Sequence, residues 1–218
     1  MIEVLTNPNK FFEARMKAEE SLKIPVLIIL ISGLIGGISA FLISGITIEL
    51  LREALPPEAM GIASTIGGIA AFIVAVIASF VSWLVFTAIF FGISCLFKGE
   101  GQFKRTLEFV GYGYIPTLIG GFISVIFMYY FVYYMYPTMS IPSVTDPAKL
   151  GEALEPVMKS PMMQLSYAIG ILFMLWSANI WVFALKHARK LTIKNAVITV
   201  AIPMAAYILY SVWQMGLM

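Results

Sequence analysis

The chain has 218 residues, of which 60% are hydrophobic and only 12% charged, with a formal net charge of +2. Soluble domains carry about 25% charged residues, so the composition makes lipid the solvent and leaves no room for a separate soluble enzyme module. The small net charge gives no basis for a nucleic-acid partner, and the single cysteine, Cys95, excludes an internal disulfide framework and reads as a small buried hydrophobe.

Residues 1–23 are polar and too long for the charged head of a secretory signal, so the first apolar run is expected to remain in the mature protein. Asn7 followed by Pro8 is a helix start, and the spacing predicts an amphipathic N-terminal helix reaching residue 23. Phe11, Arg15, Ala18 and Leu22 share one face, with Phe12 and Met16 beside it. That face fits an interfacial helix with its phenylalanines in the acyl boundary, or a packed helix leading into the first span.

Five apolar stretches follow, at 24–48, 61–97, 109–136, 162–185 and 196–218, and none contains Asp, Glu, Lys, Arg or His. A helix needs about 20 such residues to cross a hydrocarbon core about 30 Å thick. The fold expected is therefore all-α: a polytopic membrane bundle of five transmembrane helices with short interfacial helices, divided into a cytoplasmic N-terminal helix (1–23) and a spanning domain (24–218). The stretch 61–97 is too short for two crossings and a turn, so it reads as one helix of roughly 55 Å that tilts or extends beyond the lipid. Gly67-Gly68 is where a bend or an interfacial first segment is expected.

With five spans, eleven of the 14 Lys and Arg residues (10, 15, 17, 23, 98, 104, 105, 186, 189, 190 and 194) share one side. Only Arg52, Lys149 and Lys159 face the other. The positive-inside rule then makes the basic side cytoplasmic, with the N-terminus inside and the C-terminus outside. On that side Lys104 and Arg105, together with a collar of Lys186, Arg189 and Lys190, are expected to contact anionic lipid headgroups. His187 sits in the same collar with no second ligand type nearby, so no metal or other cofactor is expected. The loop 98–108 contains Gly99 and Gly101 but not the GxxxxGK followed by Ser or Thr that a phosphate loop requires.

At the other side, Tyr129, Tyr130, Tyr133, Tyr134 and Tyr136 form an aromatic belt or line a cavity. Asp146-Pro147 can start a short helix whose Leu150, Leu154 and Met158 form a stripe, either lying on the leaflet, covering the bundle mouth or meeting a partner.

Small residues suited to helix packing recur within the spans: Gly33 and Gly37 in the first, Gly67, Ala71, Ala75 and Ser79 in the second, and Gly113, Thr117 and Gly121 in the third. They serve packing inside the chain or association with other membrane proteins. Pro116 and Pro203 are expected to kink their spans. Asn179, with Ser177 near it and Gln214 later, is the strongly polar mid-span residue and is expected to make an interhelical hydrogen bond. A path for a neutral or lipidic solute lined by Asn179, Tyr112 and Tyr114 is the alternative.

Three stretches together resemble the prokaryotic branch of the Yip domain family of Ypt-interacting integral membrane proteins: 7–12 continuing through 20–25, the glycine-rich loop 98–107, and Gly111-Tyr112-Gly113-Tyr114-Ile115-Pro116. The resemblance implies a multi-pass helical fold in which Gly111, Tyr112, Gly113, Tyr114 and Pro116 are a packing feature, and nothing catalytic. Eukaryotic members are implied to bind prenylated Rab GTPases, but the Asp-Leu-Tyr-Gly-Pro motif of their N-terminal region is absent here, so GTPase binding is not carried over. The function expected is a non-enzymatic membrane scaffold or membrane-organising factor acting through helix packing, lipid contacts and protein partners. The alternative is a channel or transporter subunit.

Overall fold

The computed structural model describes residues 2–141 and 143–214, and these form nine α-helices and no strand. Two short helices come first, α1 (Ile2–Thr6) and α2 (Pro8–Arg15). Asn7 Oδ1 accepts the Lys10 N–H at 3.2 Å, while Pro8 occupies the first turn, where a missing N–H costs nothing. Residues 16–20 are good helix formers, yet the helix stops at Arg15. Two guanidiniums take the carbonyls a longer helix would use: Arg15 donates to Glu19 at 3.0 Å and Arg105 to Ala18 at 2.8 Å. The single helix expected over 1–23 is thus two short helices and a turn. Its phenylalanines enter protein rather than lipid, with Phe12 fully buried against Phe109 and Phe11 against Tyr112.

Five helices are long and apolar enough to span a membrane. The first two are α3 (Lys23–Leu50) and α4 (Pro57–Leu96), an antiparallel pair with the most extensive packing in the chain. The expected small-residue ridges meet here. A Cβ on Gly33 would come 2.5 Å from Ser79 Oγ and 3.2 Å from the Val76 backbone, and Phe72 and Phe41 lie over Gly37 and Gly68. Ile48 covers Gly67, so both ridges serve contact inside the chain. Ser79 donates to its own helix at Val76 and across the interface to Ile29. The helix runs unbroken through Gly67-Gly68, and its other flank is a row of half-exposed Ile, Val and Leu side chains suited to acyl chains.

The third stretch departs from expectation at its start. Residues 109–112 belong to a separate helix, α5 (Phe103–Tyr112), and the span itself begins with α6 (Ile115–Tyr130), continuing through a π turn (Phe131–Met135) and a 3-10 turn (Tyr136–Thr138). Pro116 cannot donate to the carbonyl of Tyr112, so the helix is interrupted and restarts with proline in its first turn. Pro116 starts a span instead of kinking one.

The connection after it folds over the end of the bundle. Asp146 caps a 3-10 turn through the Ala148 N–H at 3.0 Å, and α7 (Leu150–Met158) packs Val157, Leu150 and Leu154 over Ile46, Leu50, Phe131 and Met163. This helix covers the bundle mouth. Nearby, Tyr129, Tyr130, Tyr133 and Tyr134 are about half exposed and pair along the helix as a belt, Tyr130 stacked on Tyr134 and Tyr129 tilted against Tyr133, while Tyr136 lines a cleft with Glu49, Arg52 and Pro137. The last spans are α8 (Pro161–Ala188) and α9 (Ile193–Gln214). Residues 215–218 of the expected fifth span, and the side chain of Gln214, lie outside the described residues.

Candidate functional site: a locked basic platform

The charged side chains that hold the fold together gather at the end where α2, α5 and the 98–101 loop meet the last turn of α8. Two knots are built there, and both involve buried charge.

In the first, the side chain of Glu108 is fully buried on α5 and is held by two arginines. Arg15 approaches Oε1 at 2.6 Å, and Arg105, one turn back on the same helix, donates to Oε2 at 2.8 Å. Charge-assisted bonds of this length are the strong ones, and two cations on one carboxylate compensate its desolvation. Arg105 also reaches Glu20 at 3.6 Å and lies over the Phe109 ring. Two segments nearly a hundred residues apart are thereby stitched together. The packed Tyr112 ring sits beside this knot, and burial pushes its phenol above the ordinary tyrosine pKa of 10.0, against the lowering influence of Arg15.

In the second knot, Arg189 is 2% exposed. Its Nε donates to Ser94 Oγ at 2.8 Å, Nη2 to the Gly99 carbonyl at 2.6 Å and Nη1 to the Gly101 carbonyl, while the guanidinium lies 3.9 Å over the Phe91 ring. The Arg189 carbonyl in turn accepts the Glu100 N–H at 2.9 Å. Among the described residues no carboxylate bonds it, and carbonyl dipoles, the C-terminal end of α4 and an aromatic face balance the cation. Gly101 has φ +105° and presses on the Ala188 carbonyl, a place where a side chain fits neither the backbone nor the space. The two loop glycines therefore present carbonyls to an arginine; they do not present amides to a phosphate.

These positions correct part of the expected lipid collar. Arg189 is buried, and Arg105 keeps only 11% of its side chain exposed, so both hold protein in place of headgroups. Lys186 is half-buried and donates to Asn9 Oδ1 at 2.7 Å, which His187 Nε2 also meets at 3.0 Å. Lys104 and Lys190 remain exposed, each near a glutamate. Cys95, expected to be buried, is exposed, because its neighbour Ser94 takes the inward position.

The Gly-Tyr segment is the floor of this platform. Gly111 lies against Pro25 and Trp83, and Gly113 lies directly under the indole of Trp181. Each indole N–H donates to a carbonyl of α5: Trp83 to Leu107 at 3.1 Å and Trp181 to Val110 at 2.8 Å. Tyr112 is buried against Phe11, and Tyr114 packs edge-on to Trp181. Asn179 behaves otherwise. It is exposed in an apolar groove between α8 and α9 and makes no hydrogen bond among the described residues, so the expected interhelical bond is not formed. Tyr112 and Tyr114 lie inside while Asn179 faces out, and the three line no common path.

Sequence reasoning missed Glu108, Ser94, Asn9, Trp83 and Trp181. The i,i+3 pair Arg105 and Glu108 on an amphipathic helix was a signal for the first. Among the described residues no three of His, Cys, Asp and Glu come close enough to hold a metal ion.

Five apolar spans and a platform whose polar groups are bound to one another define a multi-pass helical membrane protein. The Yip1 domain matches residues 2–214, and the chain belongs to that family. It is also similar to the uncharacterised protein MJ0794 of Methanocaldococcus jannaschii, with 38% identity over 134 residues covering 60% of this chain and 89% of that protein. That relative is archaeal, in keeping with the prokaryotic branch of the family. No solved structure gives a significant match.

Proposed function

We propose that this protein is a non-enzymatic membrane scaffold that presents a rigid basic platform to the cytoplasmic leaflet and to membrane-protein partners. The observation that carries the reading is the double knot. Glu108 and Arg189, the most deeply buried charges, use their hydrogen-bonding capacity to fix the N-terminal segment, α5 and the 98–101 loop against α8. On the outward side of that frame Lys17, Lys98, Lys104, Lys190 and Lys194 are all exposed, interspersed with exposed Glu13, Glu19 and Glu100. A lysine near an anionic leaflet contributes about 1 kcal/mol each, and the positive-inside rule supports placing this end in the cytoplasm.

The test is the lipid shell. Full-length protein in nanodiscs of mixed phosphatidylglycerol and phosphatidylcholine should enrich the anionic lipid around itself, less so as salt rises. Replacing those five lysines with glutamine should abolish the enrichment while leaving thermal stability intact. Unchanged enrichment would remove the lipid-gripping part of the proposal. A cross-linking survey in native membranes that recovers only monomer would remove the scaffold part.

A further inference from the structure

At the end of the bundle away from the platform, α3, α6 and α8 enclose a cleft of about 250 Å³ beneath the last residue of α7, Met158. Four hydroxyls line it, Ser39 from α3, Ser124 from α6, and Ser166 and Tyr167 from α8, among the side chains of Ile43 and three methionines. None of the four makes a hydrogen bond among the described residues. Within the spans Ser44, Thr47, Thr87, Thr117, Thr199 and Ser211 each donate to a carbonyl three or four residues back, whereas the buried hydroxyls of Ser32 and Ser177 have no partner among the described residues but stand singly. Three serines from three helices therefore converge on one space with their donors unused, and a hydroxyl left unpaired in an apolar setting is unfavourable.

Depth and charge narrow what fills the cleft. α8 is about 42 Å long and exceeds a hydrocarbon core of about 30 Å by roughly 6 Å at each end when centred. Ser166 lies about 7.5 Å along it, at the level where acyl or alkyl chains join glycerol. The half-exposed tyrosine belt lies at the same end of the bundle. No charged side chain lines the cleft, which disfavours a phosphate, and the volume is below the roughly 300 Å³ of sites that engulf a whole ligand. It suits a polar, uncharged fragment whose tails stay in the bilayer.

We propose that this cleft binds the uncharged glycerol-linkage region of a lipid, with Ser39, Ser124, Ser166 and Tyr167 donating to its ester or ether oxygens. The site goes beyond the scaffold reading and does not depend on it, since the platform lies at the opposite end. The ligand source is a free neutral lipid or the backbone of an ordinary bilayer lipid.

The experiment uses full-length protein in phosphatidylcholine liposomes containing a diazirine-tagged diacylglycerol. Photolabelling is expected on peptides around Ser39, Ser124 and Ser166, and the triple variant S39A/S124A/S166A is expected to lower it about tenfold. Ser44→Ala, whose hydroxyl already bonds its own helix, should change nothing. Competition by unlabelled diacylglycerol alone identifies a free neutral lipid, and equal competition by a diether phospholipid identifies the bilayer lipid's backbone. Labelling no denser than on the lipid-facing flank of α4 and unmoved by the triple variant would overturn the proposal, leaving a cleft that holds water. Should the triple variant fail to fold, Ser166→Leu, which fills the cleft, and Tyr167→Phe replace it with the same expected and opposing results.

Discussion

Replacing Glu108 with glutamine keeps its shape and removes its charge, which leaves the guanidiniums of Arg15 and Arg105 converging on an amide. The wild-type carboxylate is fully buried and its contacts run at 2.6 and 2.8 Å, whereas Arg15 keeps 22% of its side chain exposed and can recover some hydration. Breaking a buried pair costs about 3 to 5 kcal/mol, and Arg15's access to water places this site near the lower end, about 3 kcal/mol. The loss falls on the joint between the N-terminal segment and α5, since the spans are held by apolar packing. At about 1.4 kcal/mol per factor of ten, amides of α1 and α2 limited by local opening should exchange about 100-fold faster by hydrogen–deuterium exchange. Those in the middle of α8 should be unaffected. Exchange in α1 and α2 that rises less than about threefold would show that apolar burial of Val4 and Phe12 holds the segment without the ion pairs.

Gly113→Ala puts a methyl group into the space of the Trp181 indole and should destabilise the protein by about 1 to 3 kcal/mol in thermal unfolding, with partial rescue by Trp181→Phe. Arg189→Met leaves the Gly99 and Gly101 carbonyls and Ser94 Oγ without their donor. Cys95, which lies 3.4 Å from Arg189 Nη2, should then react faster with a membrane-permeant maleimide. For Tyr112 the folded pKa lies above the unfolded 10.0, so the protonated phenol's contribution to stability is complete below pH 10.0 and is lost as pH rises through the folded pKa. Tyr112→Phe should flatten that fall in denaturant unfolding as pH rises above 10.0, and equal slopes for the two proteins would contradict it.

The platform has a mechanical consequence for a protein of this family. Helices within lipid gain little from hydrophobic burial against one another, so short amphipathic pieces at a bundle end need polar anchors to keep one position. Glu108 and Arg189 are such anchors, and each joins segments about ninety residues or more apart. A frame held this way keeps α2, α5 and the 98–101 loop in one position against the bundle.

Span number and charge asymmetry were legible in the letters, because the cost of placing charge and unpaired backbone in hydrocarbon acts locally and every residue reports it. The close approach of α3 and α4 was legible as a pattern of small residues, although its partner was not. Composition could not reveal that Arg189 is buried while Lys190 is exposed, nor that Asn179 faces outward. Those outcomes depend on the rotation of each helix about its axis, which packing decides. The same holds for the third span: Gly113 and Pro116 were visible, but a proline reads alike as a kink or as a first turn until Trp181 occupies the space above the glycine. Sequence alone determined what must cross the lipid and which end is basic. Tertiary structure decided which charges are bound to one another and which remain free to meet something else, because that choice depends on distances between segments far apart in the chain.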